Sequence, residues 1–122
     1  MAWTFNQREA VFLQIANRLR GEILSGKYAP HEQFPSVRQL ASEAAVNPNT
    51  MQKALSCLED EGILHSHGTV GRFVTSDMDI LNAARCLMIK ETVKSILKET
   101  HELGITTEEL IKYITEEDKT YE

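Results

Sequence analysis

The sequence predicts a mainly α-helical chain with one small β-hairpin and a two-helix C-terminal tail. Three observations carry that reading. Apolar residues recur at helical spacing from Phe12 to Leu58, the period falls to about two over residues 63–75, and helical spacing returns from Ile80 onward. A length of 122 residues suits one compact domain with a small appendage. With 42% hydrophobic and 25% charged residues the chain can bury a core, which excludes a disordered or fibrous protein.

The first helix is expected from about Glu9, because Phe12, Ile15, Ala16, Leu19 and Ile23 fall on one face while Gln14, Arg18 and Glu22 fall elsewhere. Ser25 and Gly26 end it. Residues 27–35 read as a loop, since Pro30 and Pro35 oppose helix in the residue before them. Ser36 opens a second helix as one half of a capping box with Gln39, and Val37, Leu40, Ala41 and Ala44 form its apolar stripe. A break follows at Ala45, Val46 and Asn47.

Asn47 has a capping side chain and Pro48 suits the first helical position, so a third helix is expected to about Glu61, stopped by Gly62. Met51, Ala54, Leu55 and Leu58 face inward, leaving Asn49, Gln52, Lys53 and Ser56 outside. Residues 63–66 and 72–75 are strand candidates, and Gly68 and Gly71 permit a tight connection between them. Two helices joined by a short turn, the second with a polar exposed start, then a hairpin, describe a winged helix-turn-helix over residues 1–76.

Residues 77–122 form the tail. A long helix is expected from about Asp79 to Leu103 with Ile80, Ala84, Leu87, Met88, Val93, Ile96 and Leu97 as its apolar residues, and Gly104 ends it. Thr106 with Glu109 opens a last short helix, where Ile105 is placed to pack on Leu110 and where Leu110, Ile111 and Ile114 are apolar. Two such helices cannot cover both apolar faces alone, so the tail is expected to dimerise.

Charge divides along the same line. Residues 1–76 hold seven Lys and Arg against seven Asp and Glu, whereas residues 77–122 hold six against eleven, so the whole net charge of −5 lies in the tail. A polyanion is repelled by one part only. No apolar run approaches the ~20 residues of a membrane span, and no apolar segment follows a basic flank at the N-terminus, so a cytoplasmic location is expected. Cys57 and Cys86 have no neighbouring cysteine to complete a metal or redox pair and are expected to be small core residues.

A helix that enters the major groove needs short or planar polar side chains at its start, while its amides and dipole face phosphate. Asn49, Thr50, Gln52 and Lys53 are such a set. Asn and Gln can pair bidentately with adenine, Thr can meet a thymine methyl or a phosphate, and Lys can take phosphate or guanine. The same residues also suit an ordinary solvated helix face. Arg38, two residues into the preceding helix, can grip guanine or phosphate with its planar fork, or form a surface ion pair with Glu59, Asp60 or Glu61. His67, Gly68, Thr69 and Arg72 can bring the hairpin tip to the minor groove or to phosphates, and His67 equally suits a plain turn.

The order of these motifs resembles the GntR family of bacterial transcription regulators, over about residues 9–76. The resemblance is carried by Pro35-Ser36-Val37-Arg38-Gln39-Leu40-Ala41, by Val46-Asn47-Pro48-Asn49-Thr50-Met51-Gln52-Lys53-Ala54, by Leu58-Glu59-Asp60-Glu61-Gly62-Ile63-Leu64 and by Gly71-Arg72-Phe73-Val74. The short tail, through Leu103-Gly104-Ile105-Thr106 and Glu108-Glu109-Leu110-Ile111, is similar to the YtrA-like branch. The resemblance implies a homodimer, joined through its C-terminal helices, that acts as a repressor on a palindromic double-stranded DNA operator. It implies DNA contacts at Arg38, at Asn47, Asn49, Thr50, Gln52 and Lys53, and at the wing tip with His67, Gly68 and Thr69. The chain departs from the family pattern at Pro48 and Gln52, where arginines are common, at His31, where glycine is usual, and at Thr69-Val70-Gly71 in the wing.

Two other classes meet the sequence less well. A winged-helix module that binds protein instead of DNA fits the acidic tail. An enzyme or metal protein would need a third ligand beside His65 and His67, which alternate on one strand, and His31 or a carboxylate is the available candidate. No Ser/His/Asp set or phosphate-cradling glycine loop is present, so neither catalytic residue, cofactor nor metal is expected. A small-molecule effector can still bind between the two parts, although so short a tail leaves little room for a pocket.

Overall fold

A computed structural model of the chain describes residues 2–121. The elements run α1 (Val11–Leu24), α2 (Val37–Ala44), α3 (Pro48–Asp60), β1 (Leu64–Ser66), β2 (Arg72–Val74), α4 (Met78–Glu102) and α5 (Thr107–Asp118). Two compact units divide between Ala84 and Arg85, inside α4, whereas the charge pattern changes at 76/77.

In the first unit α3 packs on α1, on α2 and on β1. Its centre is made by Ile15 and Leu19 of α1, Leu40 of α2, and Met51, Leu55 and Leu58 of α3, all fully buried. Each such side chain contributes about 1.5–3 kcal/mol by leaving water. The expected inward faces of α1, α2 and α3 are therefore the observed ones, except that Phe12 and Val37 are only half-buried.

The hairpin pairs antiparallel with Leu64 opposite Val74, His65 opposite Phe73 and Ser66 opposite Arg72. Strands of three residues are marginal by themselves, and burial of Ile63, Leu64 and Val74 at the root secures them. The segment expected to be a plain loop adds a third, strand-like edge. The amides of His31 and Phe34 donate to the carbonyls of Val74 and Arg72 at 2.9 and 2.8 Å, and Phe34 is buried.

The first four helices end alike, the amide of one residue donating back to a carbonyl five positions earlier across a left-handed residue. Gly26, Gly62 and Gly104 hold that place after α1, α3 and α4. After α2 the residue is Ala45, at φ 58°, with Val46 donating to Ala41 at 3.0 Å. A side chain in this conformation costs energy that glycine avoids.

α4 spans its expected length, with its first turn capped by the Asp77 carboxylate, which accepts from the Asp79 amide at 2.9 Å. Its expected apolar residues do not lie on one face. At about 100° per residue, Ile80, Ala84 and Leu87 share one side and Ile89, Val93 and Ile96 the opposite one. Leu81, outside the expected set, is the buried residue of the helix. Ile80 lies against Gly62 in the first unit, 3.3 Å from where a Cβ would stand.

In the second unit α5 opens with the complete capping box of Thr106 and Glu109, and Leu110 is buried. Leu87, Ile89, Val93, Ile96, Ile111 and Ile114 are all exposed, Leu87 to 61%. Cys57 is half-buried and Cys86 exposed, so the expectation of two core cysteines fails at Cys86, which sits on the open side of α4. Among the described residues no helix is long and apolar enough to cross a membrane.

Candidate nucleic-acid interface

The start of α3 is built by Asn47 and Pro48. The Asn47 carboxamide oxygen accepts from the Asn49 amide at 2.7 Å, and its backbone carbonyl accepts from Thr50 and Met51 at 3.0 and 3.1 Å. Pro48 has no amide hydrogen to offer. The first amides of the helix are thus spoken for, and recognition at this end falls to side chains instead of to the amides that sequence reasoning had facing phosphate.

Asn49, Gln52 and Lys53 are exposed on one side of α3, Ser56 continues that column, and Thr50 lies half-buried at its edge. Asn49 and Gln52 keep both the oxygen and the amide of their side chains outward. Asn47 does not, because its oxygen caps the helix. That excludes a bidentate adenine pair from Asn47 while the cap holds, and leaves its amide hydrogens for a single acceptor.

Lys53 has an anchor that its sequence position did not reveal. Its ammonium lies 4.1 Å from the ring centroid of Phe12, the half-buried aromatic at the start of α1. A second cation on an aromatic, Arg18 over Trp3 at 3.9 Å, ties the N-terminal segment to α1, and the Trp3 amide donates to Ala44 at the end of α2.

Arg38 is exposed on α2, and among the described residues its side chain has no hydrogen-bond or ion-pair partner. The three acids within its expected reach do not hold it. Glu61 accepts from Nε and Nη2 of Arg20 at 2.8 and 2.6 Å, Glu59 is held by Arg72 and Ser66, and Asp60 stands exposed with no ion pair among the described residues. The bland reading of Arg38 is therefore not realised.

The wing turn is closed by His67, whose amide donates to Gly71 at 2.9 Å and whose carbonyl accepts from Val70 at 3.0 Å. Gly68 and Thr69 form the exposed tip. The ladder fixes the register of the wing, with Ser66 opposite Arg72 as its last pair before the unusual Thr69-Val70-Gly71 stretch. His67 is more than a turn residue, since its ring stands edge-on to Phe73 at 5.0 Å with His31 stacked on Phe73 at 6.0 Å. Gln33 braces the tip by donating to the Val70 carbonyl at 2.9 Å.

Arg72 stands apart from the other expected contact residues. Its Nε donates to Glu59 at 2.7 Å, and its side chain is only 16% exposed. It joins the wing to α3 and does not extend from the tip. Burial alone would push the Glu59 carboxyl up, but the bonds from Arg72 and Ser66 and the Arg72 charge outweigh it and hold the group below the ordinary carboxylate value. His65 is also engaged, bonded to Thr75 Oγ1 at 3.1 Å, and the described residues include no group of three His, Cys, Asp or Glu placed to hold a metal ion.

This geometry, a capped helix with free polar side chains beside a braced hairpin, coincides with the span of a known family. The family model described as bacterial regulatory proteins, gntR family, matches residues 12–74. The chain belongs to the GntR family. The HTH-type transcriptional repressor YtrA of Bacillus subtilis is 33% identical over 107 residues, covering 87% of this chain and 82% of that protein. A GntR family transcriptional regulator from Listeria monocytogenes superposes with a TM-score of 0.86 at 28% identity, over 92% of this chain and 98% of that one. The N-terminal domain of AraR, solved in complex with mutant ORR3, superposes with a TM-score of 0.54 at 26% identity, over 57% of this chain and 100% of that one.

As a GntR member the chain is a DNA-binding transcriptional regulator. The departure from the GntR pattern at His31 also gains a physical reason. His31 has φ 68°, the left-handed conformation that glycine adopts without strain, and its amide bond to Val74 and its stacking on Phe73 offset the cost.

Proposed function

We propose that the chain is a repressor that binds a palindromic operator in double-stranded DNA as a homodimer, acting in the cytoplasm. In each half-site the first turns of α3 enter the major groove. Asn49 and Gln52 read base edges, Lys53 and Thr50 meet phosphate or a neighbouring base, and Asn47 gives one hydrogen bond from its amide. Arg38 supplies a bidentate fork to guanine or phosphate from α2. His67, Gly68 and Thr69 reach the adjacent backbone or minor groove. Arg72 acts through the wing that it anchors.

Residues 77–122 supply the dimer contact. Exposed Leu87, Ile89, Val93 and Ile96 of α4 and Ile111 and Ile114 of α5 are more apolar surface than two isolated helices keep in water. A twofold pair of reading units then explains a palindromic site. No catalytic group or cofactor enters this account.

The observation that carries the reading is the Arg38 guanidinium, without a partner among the described residues, beside a recognition helix whose outward amides, Asn49 and Gln52, are likewise unengaged there. Selection of duplexes from a random pool by the full chain tests it. The selected sequences are expected to share an inverted repeat, and the double substitution Asn49→Ala and Gln52→Ala is expected to abolish the preference. Selected sequences without twofold symmetry, or a preference that survives both substitutions, would contradict it.

A further inference from the structure

Glu59 is an acid on the side of α3 that the proposed function turns toward DNA. It lies seven residues after Gln52, on nearly the same side of the helix and about 10 Å further along it. A bare carboxylate there would repel phosphate. Instead it takes a 2.7 Å bond from Arg72 Nε and a 2.9 Å bond from Ser66 Oγ. Ser66 and Arg72 face each other across the ladder and form the last pair before the wing turn. One carboxylate therefore holds both strands at the point where the hydrophobic root ends and the exposed turn begins.

We propose that Glu59 is a positioning residue for operator recognition, fixing the wing at a set place on the recognition helix through Ser66 and Arg72. The inference rests on the reading of α3 and the wing as the DNA-contacting elements. A hairpin of three-residue strands has little stiffness of its own. Its root is secured by the buried Ile63, Leu64 and Val74, and above them the hairpin must still be held against α3. The clamp does so, which lets His67, Gly68 and Thr69 be presented at a fixed distance from Asn49 and Gln52. Arg72, neutralised by Glu59, serves the geometry of the wing and not its charge.

The test uses the full chain and the duplex that the wild-type chain selects from a random pool, with affinity read by fluorescence anisotropy at several salt concentrations and contacts read by hydroxyl-radical footprinting. Glu59→Ala is expected to bind about tenfold more weakly, with protection lost at the outer, wing-facing nucleotides and kept over the central major-groove positions. The slope of affinity against salt stays unchanged, because no lysine or arginine contact to phosphate is removed. Glu59→Gln keeps an oxygen for Arg72, and its amide can donate to the Ser66 hydroxyl, so it is expected to retain most of the affinity. Arg72→Ala, which opens the clamp from the strand side, gives the same partial footprint.

Tighter or unchanged binding by Glu59→Ala overturns the inference, since a carboxylate that merely competed with phosphate for Arg72 would behave so. A salt slope about one unit shallower in Arg72→Ala overturns it too, by making Arg72 a phosphate contact. If the wild-type chain protects no duplex, the reading of α3 fails and the inference with it. A normal wild-type footprint that Glu59→Ala and Arg72→Ala both reproduce sinks the inference alone.

Discussion

The Lys53 ammonium sits 4.1 Å from the centroid of the Phe12 ring, so a cation of the recognition helix is held against the first helix of its own domain. This contact couples α3 to α1 outside the core. Phe12→Leu and Lys53→Met should each lower stability, and a double-mutant cycle by urea denaturation should give a coupling of about 0.5–1 kcal/mol. Additive effects would show that the two side chains do not act on each other.

Arg38 is exposed and has no partner among the described residues to lose. Arg38→Ala should leave the melting temperature unchanged and weaken operator binding by roughly 1–3 kcal/mol, the range for a good base contact. Calorimetry and anisotropy on the same preparation separate the two quantities. Equal affinity of the folded variant and the wild type would remove Arg38 from the interface.

Ala45 occupies the left-handed place that glycine fills at three other helix ends. Ala45→Gly should relieve that strain and, after the larger entropy loss of glycine, stabilise the chain by about 0.5 kcal/mol. The melting temperature should rise by a few degrees. A fall would mean that the methyl group of Ala45 contributes more than its backbone conformation costs.

The Glu59 clamp predicts a pH dependence. The folded group titrates below its ordinary value of 4.5, so as acid is added the unfolded chain takes up this proton first. The stabilisation is complete above 4.5, shrinks below it, and is gone once the pH has passed below the folded value. Glu59→Gln, which mimics the protonated state, should melt about 4 °C below wild type at pH near 7, corresponding to about 1 kcal/mol, with the gap closing as the pH falls below 4.5. A gap independent of pH would assign the effect to packing.

The exposed apolar side of α4 gives the oligomer prediction. Val93→Glu combined with Ile96→Glu should convert a dimer into a folded monomer by light scattering, and operator affinity should fall about a hundredfold because the half-sites are no longer engaged together. A dimer that survives both charges would place the contact elsewhere.

Much of the reading unit was legible because its signals are local. Ser36, Asn47 and Pro48 open the helices they cap, Gly26 and Gly62 close the helices before them, and Met51, Ala54, Leu55 and Leu58 mark a face by spacing alone. The features that sequence left out depend on partners distant along the chain. Residues 31–34 pair with β2 some forty positions later, and only the apolar Phe34 hinted that the loop enters the structure. Arg72 looks like any basic wing residue until Glu59 is found beside it. In α4 the apolar residues change sides midway, so their spacing marks no single buried face, and Leu81, the buried residue, lies outside the expected set.

The proposed function stands or falls on where the first turn of α3 lies when DNA is bound. A crystal structure of the full chain with its selected duplex would decide this. The account predicts two protomers related by a twofold axis, each with Asn49 and Gln52 against base edges in the major groove and Arg38 within hydrogen-bonding reach of guanine or phosphate. A complex in which those three side chains face solvent, with the duplex held by another surface, would contradict it.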